Sequence, residues 1–475
     1  MKEKFAFFSV GTFLYSVFYA FCLYKNIAGI TFPFFVCGTF FFFGLCFKKL
    51  GMSIKKNSVF YMISAILLGI SSCLTNDAKI YVPNMLFVFG LFLLFLIHQF
   101  QEDDQWNLGK YIAVIGEVMI GALSELGTPF KNCIQYAKEN EKGSFIKIMY
   151  AVMGLAVSIP LILVICMLLI SADAVFRSMA TNLLEAINLG NVWGVFVTIV
   201  LVFLTVYCMF SYFLKGKIKN EVDDRRVLEP IIAITVNSVL AVIYIVFSLI
   251  QILYLFIGNM SLPEGYTYAG YAREGFFQLL AVCIINLILV VFCMAYFKES
   301  RILKGTLTII SVCTYIMTAS SAMRMIIYIR YYYWTYLRIA VLWTLAAIVF
   351  LITGILIQIY KKEFKLFRYC LIVVTCFYIS FAFARPDYMV AKFNVSNMES
   401  SEQGGFYLGM PYGDYGYLRK LSQDAVPAMY ELFEENPEFL REYMDRHSTE
   451  NTIRGFNFSK FYASRVYSNF SIDKE

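Results

Sequence analysis

Of 475 residues, 60% are hydrophobic and only 15% are charged, against roughly 25% charged in ordinary soluble domains. A chain with 47 Phe and 34 Tyr cannot hide them inside a water-soluble globule of this length, because too little polar surface is left to cover such a core. The formal charge of +7 is scattered between apolar blocks instead of forming one basic face, which argues against nucleic acid and for the lipid bilayer as partner.

The apolar blocks predict about eleven transmembrane helices, since roughly 20 residues rising about 1.5 Å each cross a hydrocarbon core about 30 Å thick. They fall at 5–24, 27–47, 58–74, 80–100, 147–170, 192–214, 231–257, 274–297, 306–327, 334–359 and 366–384. The fold expected is therefore all-α and polytopic. Four helices occupy 1–100, an interfacial segment 101–146, a seven-helix core 147–384, and a small extramembrane helical tail 385–475. The first span follows Lys2-Glu3-Lys4. It is too long and too aromatic for a signal-peptide core and lacks a small-residue cleavage site, so it reads as retained.

Lys and Arg set the orientation. With the N-terminus inside, one set of loops carries Lys48, Lys49, Lys55 and Lys56, then Lys215, Lys217, Lys219, Arg225 and Arg226. The same set continues with Lys298, Arg301 and Lys304, then Lys361, Lys362, Lys365 and Arg368. The opposite loops hold isolated charges such as Lys25, Lys79, Arg177, Arg273 and Arg330. This asymmetry places the N-terminus in the cytoplasm and, after eleven spans, the C-terminus outside. Between the fourth and fifth spans, apolar residues interleave with Glu117, Glu125, Lys131 and Lys138. That pattern reads as an interfacial helix on the inner leaflet, with a re-entrant hairpin as the alternative.

Ionisable residues near a membrane span each need a reason. Asp173, just after the fifth span, is suited to cap a short helix at 174–187, and Pro160 should kink that span. Gly190 and Gly194 form a GxxxG at the start of the sixth. Arg273 and Glu274 open the eighth span, Arg324 lies about a turn from the outer end of the ninth, and Arg338 lies one turn into the tenth. Asp173, Arg273, Glu274, Arg324 and Arg338 are the candidate polar cluster. It acts either as a site for an anionic ligand or proton coupling, or as salt-bridged staples between helices. Tyr331, Tyr332, Tyr333, Trp334 and Tyr336 read as an interfacial aromatic belt.

In the tail, helical spacing begins at Asp424 and runs through Val426, Met429, Leu432, Phe433, Phe439, Leu440 and Tyr443. With two histidines, His98 and His447, and no CxxC among 12 cysteines, no metal site is expected. No P-loop, HExxH or GxSxG sequence occurs, and no cofactor is expected. Asn259, Asn394, Asn457 and Asn469 begin N-x-S triplets, which are discounted as chance matches.

Four stretches together carry a resemblance. They are Leu169-Ile-Ser-Ala-Asp-Ala-Val-Phe176, Tyr271-Ala-Arg-Glu-Gly-Phe-Phe-Gln-Leu279 and Tyr336-Leu-Arg338. The fourth runs from Asp414-Tyr-Gly-Tyr417-Leu418 into Leu421-Ser-Gln-Asp424-Ala-Val-Pro427. In order and spacing the chain resembles the bacterial membrane family called domain of unknown function 4173, with its sister family 4153, over roughly residues 150–430. The first four spans add nothing to that resemblance. It implies architecture and a bacterial envelope location, and it brings no activity.

Three functions fit this pattern. One is a sensory or assembly protein whose outer face meets an envelope protein or small-molecule ligand; another is a transporter or channel. The third is a membrane-embedded enzyme acting on lipid or lipid-linked envelope precursors, which requires Asp173, Glu274 and Arg324 to converge.

Overall fold

The computed structural model describes residues 4–103, 106–139, 158, 161–162, 165–179, 190–216, 218, 226–253, 276–401, 415–447 and 452–472. Regular structure among them is helical, with one isolated bridge between Leu228 and Phe297. The membrane-length helices are α1 (Phe5–Leu23), α2 (Thr31–Leu50), α3 (Val59–Leu74) and α4 (Ala78–Phe100). After the shorter α5 (Leu108–Ser124) and α6 (Thr128–Glu139) come α7 (Gly190–Leu214), α8 (Pro230–Gln251) and α9 (Phe276–Tyr296). Then follow α10 (Arg301–Tyr332), α11 (Tyr336–Tyr360) and α12 (Leu366–Phe383). The tail holds α13 (Pro386–Ser401), α14 (Tyr415–Leu418), a 3₁₀ segment Gln423–Ala428, α15 (Tyr430–Glu435), α16 (Pro437–Arg446) and α17 (Phe458–Ile472).

Ten of these helices are long and apolar enough to cross a membrane, and the protein is an all-α, multi-pass membrane protein. The expected span at 147–170 lies largely outside the described residues, as do Pro160, Arg273, Glu274 and Asp414. α5 and α6 meet at a bend of 47° and together are also long and apolar enough for one broken span.

The chain divides into two compact units: Met1–Ile66, Phe89–Glu102 and Ile112–Asn220; and Leu67–Val88, Asp103–Tyr111 and Glu221–Glu475. The first is held by aromatic rings. Val36, Phe40, Phe43 and Phe47 recur at i, i+4, i+7 and i+11 along α2 and are all buried, which puts them on one face. Phe40 meets Phe92 edge-on at 5.1 Å, Phe43 meets Phe210 at 5.7 Å, and Phe100 stacks on Phe213 at 4.9 Å. Lipid tails compete with any apolar side chain, so helices in a bilayer associate through such close packing and through hydrogen bonds. Tyr15 and Thr39 supply one of these bonds at 3.0 Å. Gly194 of the GxxxG lets α7 approach α1, since a Cβ there would lie 2.0 Å from the Tyr24 hydroxyl. α5 and α6 are tied to α7: Tyr212 donates to Glu117 (2.9 Å), Asn132 donates to Tyr207 (3.0 Å), and Lys215 pairs with buried Glu125.

In the second unit α10 packs on α8, α9 and α11, and α11 also packs on α12 and α13. At 32 residues α10 is about 48 Å long, so its ends project beyond a hydrocarbon core. The unit has two polar ends. One gathers the 75–77, 333–335 and 384–385 connections with the tail. The other gathers Arg226, Glu229, Lys298, Glu299, Lys304 and Lys362. α11 and α12 touch at Gly354, where a Cβ would lie 2.4 Å from the Tyr369 ring, and the Tyr369 hydroxyl donates to the Phe350 carbonyl (3.0 Å). Gly354→Val should push that ring away and break this bond. A loss of about 1–3 kcal/mol is expected, read as a lower thermal midpoint in detergent than for Gly44→Val, where nothing lies within 4 Å of the added carbon.

Candidate functional site

The polar end that receives the tail is built from helix starts. The first turn of any helix leaves backbone N–H groups without intrahelical acceptors and carries partial positive charge, so carboxylates are favoured there. Asp77 fills this role for α4: its Oδ1 accepts the Lys79 N–H (2.9 Å), and its carbonyl accepts the Ile80 N–H (2.9 Å). Asp387 stands in the first turn of α13, behind Pro386, and accepts the Ser422 N–H at 2.8 Å. Asp424 stands in the first turn of the 3₁₀ segment. It accepts the Asn76 N–H at 3.0 Å and a short bond from the Thr75 hydroxyl.

All three carboxylates are buried, at 3%, 1% and 1% exposure. Among the described residues, two cations face them. Lys79 reaches both Asp387 oxygens (3.1 and 3.3 Å) and lies 3.7 Å from Asp77, and Arg385 lies 3.8 Å from Asp424. Three carboxylates against two cations leave a negative surplus, and it falls on Asp77. Burial, then the Asp387 carboxylate, push its pKa from 3.8 up to about 6, with a smaller rise from Asp424 and an opposing pull from Lys79. Asp77 Oδ2 accepts no hydrogen bond among the described residues.

Neutral bonds complete the clasp. Asn457 is buried; its Nδ2 donates to the Thr75 carbonyl (2.8 Å) while its Oδ1 accepts the Ser459 N–H (3.0 Å). Asn394 binds both backbone groups of Trp334, at 2.9 and 3.0 Å, and the indole stacks on Phe393 at 4.7 Å. The Tyr336 N–H donates to the Tyr417 hydroxyl (2.9 Å), and Lys79 lies over the Tyr336 ring at 4.4 Å. Trp334 and Tyr336, expected in an interfacial belt, are thus half-buried against the tail. Leu418 is buried with the tail core, and Pro427 lies inside the 3₁₀ segment.

The other candidate residues that are described, Arg338, Arg324 and Asp173, have separate partners. Arg338 donates to the Tyr332 and Tyr333 carbonyls at the C-terminus of α10 and lies 4.2 Å from the Tyr328 ring centroid. There the guanidinium supplies donors that the last carbonyls lack. Arg324 is buried and donates to Gln251 (3.3 Å), which also accepts from Ser320 (2.6 Å). Asp173 is exposed and accepts the Phe176 N–H at 2.6 Å, capping its own short helix.

Arg324 and Gln251 sit in a polar seam that sequence reading missed. Asn237, Ser248 and Gln251 on α8, Cys283 and Asn286 on α9, and Ser311, Thr314, Thr318 and Ser321 on α10 are all buried. Tyr244 donates to Asn286 (2.9 Å), Asn286 donates to Thr314 (3.0 Å), and Cys283 meets Thr318 at 3.5 Å. A small cavity borders Asn286, Ser311 and Thr314. The i, i+3, i+7, i+10 spacing of 311, 314, 318 and 321 was the available signal. The signals for the clasp were Thr-Asn-Asp77 and Pro386-Asp387, both helix-start patterns.

Residues 62–432 match the family model described as domain of unknown function (DUF4153). The chain belongs to this family. The match takes in α4 and most of α3, two of the spans that contributed nothing to the resemblance drawn from sequence. Asp77, Lys79, Asp387 and Asp424 therefore all lie inside the DUF4153 region, whereas Asn457 and α17 lie beyond it. No curated protein and no solved structure matches the chain. Among the described residues no group of His, Cys, Asp or Glu is arranged to hold a metal ion.

Two measurements test the clasp. Asp424→Ala strands the Thr75 hydroxyl and the Asn76 N–H, at a cost of roughly 3 kcal/mol. Limited proteolysis should then cut between α13 and α17 faster than in the parent, with Asp424→Asn intermediate. The second test concerns pH. In the folded protein Asp77 holds its proton up to about pH 6, whereas an unfolded aspartate loses it near pH 4. Its contribution to stability is therefore full below about pH 4 and is lost as pH rises through about 6, by at most about 1.4 kcal/mol per pH unit. Asp77→Asn should flatten the stability profile across that window, and an unchanged slope would remove Asp77 as its source.

Proposed function

We propose that this protein is a sensory or assembly component of the bacterial cytoplasmic membrane. In this reading the N-terminus lies inside, and the clasped tail presents an outer surface to an envelope protein or small-molecule ligand. The observation that carries it is the anchoring of Asp424 on Thr75 and Asn76. A tail held by buried polar bonds to helix ends passes displacement on to α4, α11 and α13, as a flexible appendage does not. The orientation is supported by charge: the tail-bearing end of the second unit is the one with few basic loop residues, and the opposite end carries Arg226, Lys298, Lys304 and Lys362.

A second reading, transport, is favoured by the α8–α9–α10 seam. Asn237 Oδ1, Ser248 Oγ and Ser321 Oγ are buried without hydrogen-bond partners among the described residues, and buried polar atoms ordinarily have them. A lipid-precursor enzyme has less support, because Asp173 is engaged in capping.

Complementation of a deletion strain separates the two readings. Thr75→Val with Asp424→Asn should leave the protein in the membrane but fail to restore the phenotype, and Asn286→Leu with Thr314→Val should restore it. The opposite pattern would establish the seam as the working part. Impermeant maleimide should label Ser464→Cys in intact cells, but Lys365→Cys only after permeabilisation; the reverse labelling would sink the orientation.

A further inference from the structure

The end of the second unit opposite the tail holds a cleft that neither reading uses. The strand-like bridge sets it up: the Leu228 N–H donates to the Tyr296 carbonyl (3.1 Å), and the Lys298 N–H donates to the Leu228 carbonyl (3.0 Å). This brings the segment before α8 against the end of α9. Three cations then converge on one carboxylate. Arg226 reaches Glu299 at 2.6 Å, Lys362 at 2.7 Å and Lys304 at 3.4 Å. The Lys362 hydrogen bond, ahead of those from its neighbours, holds Glu299 below the usual carboxylate range, so the acid is ionised at neutral pH. Among the described residues, three positive charges against one negative leave a surplus of two.

That surplus borders a shallow cleft with a cavity volume of about 60 Å³. Its wall includes Ser300 and Gln358, and its floor is apolar, formed by Met294, Phe297, Leu303, Leu307 and Ile359. The floor residues belong to the ends of spans α9, α10 and α11 and to the turn between the first two, so the cleft runs from a charged rim to the apolar packing at the ends of these spans. A soluble anion matches the rim alone. A molecule carrying a phosphodiester on a hydrocarbon chain matches both rim and floor, and basic recesses between transmembrane helices suit such headgroups.

We propose that this cleft binds an anionic phospholipid, with its phosphate among Arg226, Lys304 and Lys362 and an acyl chain along the apolar floor. Glu299 spaces the three cations and competes with the phosphate for them. The site thus trades an internal ion pair for a lipid one, and its occupancy tracks the anionic lipid content of the membrane.

The test is native mass spectrometry of the full-length protein, titrated with phosphatidylglycerol and with phosphatidylcholine of the same chains. Lys304→Gln with Lys362→Gln should weaken phosphatidylglycerol retention about tenfold or more and leave phosphatidylcholine unchanged. Lys304→Arg with Lys362→Arg should keep it, and Glu299→Gln should tighten it severalfold, a gain that misfolding cannot mimic. Lys298→Gln, which removes an exposed pair with Glu229 outside the cleft lining, is the control and should bind as the parent does. Equal retention in the Gln double variant, or an equal loss in the Lys298→Gln control, overturns the proposal. So does full displacement of the lipid by millimolar inorganic phosphate, which would identify a soluble-phosphate site.

Discussion

Everything at the tail-bearing end depends on one buried carboxylate, that of Asp424, facing the turn at Thr75–Asn76. A turn between two apolar helices is an awkward object. Its backbone groups cannot be left to hydrocarbon, and its few polar side chains are too short to satisfy each other. An acceptor delivered from elsewhere solves the problem, provided that its charge is also met. Thr75, Asn76 and Arg385 meet it, and the positive potential at the start of a helical turn adds to them. The same logic accounts for Asp77 and Asp387. Three helix starts turned toward one another require three anions, and two cations answer them incompletely.

The two units cohere by different means. In the first, phenylalanine rings on α2, α4 and α7 interlock, so cohesion rests largely on shape. In the second, α8, α9 and α10 meet through amides, hydroxyls and a guanidinium, and cohesion rests on hydrogen bonds whose geometry is specific. Small side chains allow this close approach, as at Cys283 against Thr318. A shape-held bundle tolerates a range of apolar substitutions that keep volume. A hydrogen-bonded one does not, because a lost partner leaves a polar atom stranded. The DUF4153 match, residues 62–432, takes in parts of both units.

The spans were legible in the sequence because hydropathy over about 20 residues is a local property, and ten of the expected helices stand where the apolar blocks lie. Alternation of basic loops likewise separated the two ends of the second unit. The site was legible only in part. Asp424 and Tyr417 stand out through a resemblance, whereas Lys79 reads as an isolated loop charge and Asp77 and Asp387 do not stand out. Isolation along the chain said nothing about neighbours hundreds of residues away. Arg324 and Arg338 show the opposite error. They look alike in sequence, two arginines near adjacent span ends, yet one joins the Gln251 seam and the other closes the C-terminus of α10. Asn457 and Asn394, set aside as chance triplets, prove to be buried or half-buried amides that fix backbone.

The span of chain between Thr75 and Asp424, 349 residues, has a consequence for biosynthesis. At about 5–20 residues per second the ribosome needs roughly 20–70 s to supply the second partner after the first has emerged. Throughout that interval the turn between α3 and α4 has no carboxylate from Asp424 and no amide from Asn457. The later helices must be inserted, and the tail carried to the same side, before the turn is satisfied. Closure of the clasp is therefore among the last events of maturation. Chains that stop short of it expose an unsatisfied polar turn, a mark by which a membrane protease can tell them from finished molecules.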